Sequence, residues 1–136
     1  KTLNMEKELK RAKKHMDDLH FEHKVWMRQL DFSKDEIEFF KQRAGEISQR
    51  YTDKDVLKKL EQFQNQFIIQ RNEIDEFLHA IQMHEDSFKV EVDKNPVAVD
   101  HRLFNDHADE RDRFEMFVKL YGELKTDFMS YLRKWM

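Results

Sequence analysis

The sequence predicts an all-α protein, an antiparallel up-down-up bundle of three long helices, and three observations carry that expectation. Apolar residues recur at alternating three- and four-residue steps through most of the chain, the spacing of helices packed along a common seam. The 136 residues include only two glycines and one proline, too few for the tight turns and crossovers of sheet folds. Charged side chains make up 39% of the chain, as long helices with solvated outer faces require. A chain of this length is expected to form a single domain over residues 1–136.

Helix 1 is expected over about residues 3–51, on a seam of Leu9, Ala12, Met16, Leu19, His23, Trp26, Leu30, Ser33, Ile37, Phe40, Ala44, Ile47 and Tyr51. Ser33-Lys34-Asp35-Glu36 fits a capping box, so a break near Ser33 would give four helices, although the seam keeps its phase there. Thr52 or Asp53 can cap the next helix, expected over about 53–90. Its seam runs through Val56, Leu60, Phe63, Phe67, Gln70, Ile74, Phe77, Ile81, His84 and Phe88. The valine-rich segment 89–100 holds the only proline and forms the second break, with Asn95 and Asp100 as candidate caps and Pro96 at a first helical position. Helix 3 is then expected over about 97–135, through Leu103, His107, Glu110, Phe114, Phe117, Tyr121, Leu124, Phe128, Tyr131 and Trp135. Gly45 and Gly122 lie inside strong helical pattern and read as close-packing or tolerated positions rather than helix ends.

The polar exceptions in the three seams carry the functional information. Folding the chain back near residue 52 sets His23 opposite His84, and folding it back near 95 sets His84 opposite His107. The same register sets Ser33 opposite Gln70 and Gln70 opposite Tyr121, a second polar layer. The histidine layer also gathers Glu110, one turn from His107, with His20, Glu22 and Glu85 as flanking donors. Imidazoles and carboxylates converging from separate helices suit zinc or iron, so the expected metal ligands are His23, His84, His107 and Glu110, with His20, Glu22 and Glu85 as second choices. The alternative is that the layer only fixes helix register in a structural or protein-protein interaction module. His15, His79 and His101 fall on outer or flanking positions.

Other functions find little support. The chain has no cysteine, which excludes thiolate chemistry and cysteine-ligated zinc. Its net charge of -3 argues against nucleic acid as a partner, and the basic run Lys7, Lys10, Arg11, Lys13 and Lys14 reads as a solvated helix face. No apolar run is long enough to span a membrane and the start KTLNMEKELKRAKKH lacks the apolar core of a secretory signal, so a cytoplasmic location is expected. The one Glu-x-x-His, Glu76 to His79, points outward, and the di-metal, hemerythrin and metalloprotease patterns are missing. No catalytic residue is singled out. A homodimer or a helical protein partner is the expected association, through the N-terminal Met5 and Leu9 and the flanks Met27, Ile68, Leu78 and Val118. The stretches LHFEHKVWMRQL (19–30) and FQNQFIIQRNEIDEFLH (63–79) resemble those of small bacterial helical-bundle proteins; the resemblance implies a bacterial cytosolic bundle and carries no activity.

Overall fold

A computed structural model describes the backbone of residues 2–91 and 96–136 and the side chains of residues 3–88 and 105–136. Three α-helices form a helical bundle: α1 (Thr2–Arg50), α2 (Lys54–Glu91) and α3 (Pro96–Trp135). Among the described residues there is no strand. Helix α1 runs through Ser33 without a break, so the four-helix alternative is corrected: Ser33 is itself buried in the seam, and apolar packing on both sides outweighs the local capping signal. The expected caps Asn95, with the loop around it, and the side chains of Asp100, His101 and Leu103 lie outside the described residues.

The turn between α1 and α2 is set by Asp53. Its Oδ1 accepts hydrogen bonds from the backbone N–H groups of Asp55 (2.8 Å) and Val56 (3.2 Å), which satisfies two orphan donors of the first turn. A Cβ built at Gly45 or Gly122 meets nothing within 4 Å, so both glycines are tolerated positions rather than points of close helix contact.

The chain divides into two compact units. One comprises Lys1–Gln29 and Phe77–Phe114, the other Leu30–Glu76 and Glu115–Met136. The second unit is packed by aromatics: Phe128 is fully buried, with ring centroids 5.4 Å from Phe40, 5.3 Å from Phe63 and 5.0 Å from Phe67. Tyr131 donates to the Val56 carbonyl (2.8 Å) and Tyr51 to that of Trp135 (2.7 Å), fastening the α1–α2 turn to the end of α3. Contacts pair Lys34 with Asp75 and Glu38 with Arg71, so partners fall along α2 as they rise along α1. The polar layer expected from Ser33, Gln70 and Tyr121 takes a different form. Tyr121 donates instead to Glu36 (2.7 Å), whose other oxygen accepts from Lys125 (2.7 Å). Burial, with the Glu36 carboxylate beside it, holds the Tyr121 phenol well above its ordinary pKa, so it stays a neutral donor.

The first unit holds the histidine layer. Leu19 and Phe88 pack with Met16 at one level, and Trp26, Phe77 and Phe114 form a second aromatic group.

Candidate metal centre

The seam that buries one face of each helix also carries the polar residues inward. Helix α1 supplies His20, Glu22, His23 and Trp26, α2 supplies His84 and Glu85, and α3 supplies His107, Glu110 and Arg111. His23 is 1% exposed and lies at the centre. Its Nδ1–H donates to Glu85 Oε1 (2.7 Å) and its Nε2–H to Glu110 Oε2 (2.9 Å). Carboxylate oxygens only accept, so a ring facing one at each nitrogen carries both protons. Burial opposes that charge, but the hydrogen bonds and negative charge of Glu110 and Glu85 outweigh it and raise the His23 pKa.

Glu110 is the convergence point of three helices. His84 Nδ1 faces its Oε1, while His23 holds its Oε2. Burial pushes the Glu110 carboxyl up, yet the bonds and charge of the two imidazoles prevail and hold its pKa at about 2. His23, His84 and Glu110 each present one donor atom within 4.8 Å of the others, the only such group among the described residues. Zinc bonds of about 2.0–2.2 Å set the donors of a tetrahedral shell roughly 3.3–3.6 Å apart, so the hydrogen-bonded pairs open slightly to admit an ion.

The remaining expected residues surround this group in distinct roles. Glu85 bridges His23 and the exposed His20, accepting from His20 Nδ1–H at 2.8 Å. His107 lies outside the three-residue group. Its Nε2–H donates to Glu22 Oε1 (3.1 Å), and its ring stacks on Trp26 at 4.9 Å and 12°. Glu22 also receives Arg111 at both oxygens (2.9 and 3.3 Å). Burial raises the Glu22 carboxyl, but Arg111 and His107 outweigh it and leave its pKa lowered. Burial dominates at His107 and lowers its pKa despite the Glu22 carboxylate, so the ring stays neutral near pH 7. A cleft of about 160 Å³, lined by His15, Asp18, Leu19, Glu22, His107, Ala108 and Arg111, opens beside this second pair. Glu76 and His79 are exposed, as the sequence register implies.

The sequence does not single out two residues that build the site. Trp26, the stacking platform for His107, reads in the sequence only as a core residue, and its position three residues after His23 is the one clue. Arg111 reads only as a flanking charge, and its role at Glu22 follows from rotamers that spacing does not specify.

The opposed pKa shifts give the metal-free protein a defined pH response. Glu110, depressed below its ordinary 4.5, contributes stability above that value that is lost as pH falls toward 2. His23, raised above 6.5, contributes stability below 6.5 that is lost as pH rises through its folded value. His107, lowered, has the reverse sign and withdraws stability as pH falls below 6.5. Between pH 5 and pH 3 the parent protein is therefore expected to lose on the order of 1–2 kcal/mol more than a Glu110→Gln variant, measured by urea unfolding. Equal losses would show that Glu110 is not held by the imidazoles.

Comparison with known proteins adds no constraint: no protein-family model, no curated protein and no solved structure matches the chain. No helix among the described residues is long and apolar enough to cross a membrane. A functional reading therefore rests on the residues themselves.

Proposed function

We propose that this chain is a transition-metal-binding protein that holds zinc or iron between His23, His84 and Glu110. The observation that carries the reading is the convergence of three borderline-metal donors, one from each helix, within 4.8 Å. The surroundings support it. Glu85 accepts the Nδ1–H of His23, the arrangement in which a carboxylate fixes the tautomer and leaves Nε2 to bind the ion. The ion takes the place of the proton that now lies between His23 and Glu110. The cleft beside Glu22 and His107 gives the first unit an approach from solvent.

Protein stripped with a chelator and then given zinc or iron(II) at about 100 times its dissociation constant gains about 2.7 kcal/mol, a rise in thermal midpoint on the order of 8 °C. An unchanged midpoint with either metal would overturn the reading.

A second reading has its own support. His23 is bonded at both nitrogens and Glu22 is shared by His107 and Arg111, so much of the layer is already satisfied by protons alone. Such a network can serve only to fix helix register in a structural or interaction module. It predicts the unchanged midpoint.

A further inference from the structure

We propose that His107 is the fourth ligand of this metal, bound through Nδ1, which makes the centre a closed His₃Glu site that clamps three helices. The proposal rests on the metal reading given above. Three features of the first unit lead to it.

The first is an orphaned nitrogen. Because Nε2–H of His107 is given to Glu22, Nδ1 is the ring nitrogen left to offer a lone pair. His107 is 5% exposed, and Nδ1 is buried with no hydrogen-bond partner among the described residues. Buried acceptors without a donor are uncommon in folded proteins, and a cation is the partner that a lone pair on imidazole takes in a site of this composition.

The second is a repeated arrangement. His23 has the carboxylate of Glu85 behind it at 2.7 Å, and His107 has that of Glu22 at 3.1 Å. Metal-bound histidines characteristically give their second N–H to a carboxylate. Here two imidazoles, with ring centroids 5.2 Å apart, are each backed in that way. Arg111 grips Glu22 at both oxygens, so the carboxylate stays in place when the His107 ring moves.

The third is helical position. His107 and Glu110 are three residues apart on α3 and so share one face. The nitrogens of His107 stand outside the 4.8 Å group, and the ring is stacked on Trp26. Ligation therefore draws the ring across the Trp26 face toward Glu110. Four protein ligands fill a tetrahedral shell and leave no position for a substrate, which is the hallmark of a structural metal.

The test uses the full chain and two metals. His107→Phe keeps a ring on Trp26 and removes the orphaned nitrogen. Zinc affinity, measured by calorimetric titration against a competing chelator, is expected to fall about 10- to 100-fold, a change typical of perturbing a histidine shell. Cobalt(II) bound to the parent protein is expected to give the intense visible bands of four-coordinate ligation, and His107→Phe bands changed in position and intensity as water replaces the imidazole. Parent and variant of equal zinc affinity, or weak cobalt bands in the parent itself, would overturn the proposal while leaving metal binding by His23, His84 and Glu110 standing. Intense parent bands do not by themselves name the fourth ligand, since water also completes a four-coordinate shell, so if His107→Phe does not fold the same affinity comparison is made with His107→Gln. A parent protein that binds neither zinc nor cobalt would overturn this proposal and the metal reading together.

Discussion

A His84→Leu variant is expected to bind zinc at least about 100-fold more weakly than the parent, while its metal-free form unfolds at an equal or slightly higher free energy. The two halves of this result have different causes. His84 is the sole donor that α2 contributes to the three-residue group, so its loss leaves the ion held by α1 and α3 alone. The metal-dependent rise in thermal midpoint should vanish with it. Without metal the balance changes. His84 Nε2 is buried with no partner among the described residues, and leucine removes that unmet group. Glu110 loses the His84 contact at Oε1 but keeps its bond from His23 at Oε2, and the side chain is part exposed, so water can meet the freed oxygen. Apolar substitution at a buried polar layer is near neutral where, as here, the remaining partner keeps another bond and some access to water. Retained zinc affinity in the variant would remove His84 from the site. A loss of several kcal/mol of metal-free stability would instead mark the imidazole as a structural linchpin.

Phe128→Ala is expected to destabilise the protein by about 3–5 kcal/mol, the largest single-residue effect on folding. Phe128 is 0% exposed and its ring meets Phe40, Phe63, Phe67 and Tyr131, so truncation loses transfer energy and opens a cavity that four stiff rings fill poorly. Phe39→Ala provides the control. That ring is 53% exposed, and its removal is expected to cost no more than about 1 kcal/mol. Urea unfolding of both variants measures the contrast, and a Phe128→Ala loss as small as that of Phe39→Ala would show that the second unit is not packed around this ring.

The heptad seam made most of the core legible. Ala12, Leu19, Trp26, Leu30, Ile37, Phe40, Ala44 and Ile47 on α1 are all buried where the three-and-four spacing places them, and the α2 seam from Val56 to Phe88 is buried except for the half-buried Gln70 and His84. Periodicity works here because only one face of each helix can be covered. It also brought His23, His84 and Glu110 to one level, since register along antiparallel helices fixes height. What it leaves open is side-chain direction. His107 and Tyr121 sit in the seams yet turn to Glu22 and Glu36, residues on the flank of α1. Long glutamates reach back toward the core from flanking positions, and no spacing rule distinguishes them from the many that stay in solvent. The division of the described chain into two compact units has no counterpart in the pattern either, because the seams run through both without a change of phase.

Metal content is the most direct test of a bound ion at His23, His84 and Glu110. Protein made without a polyhistidine tag and purified without chelator is expected to carry close to one zinc or iron ion per chain by elemental analysis, with the ion lost from His84→Leu. A content near zero that stays near zero after dialysis against zinc or iron(II) would contradict metal binding and leave the histidine layer as a device that holds three helices in register.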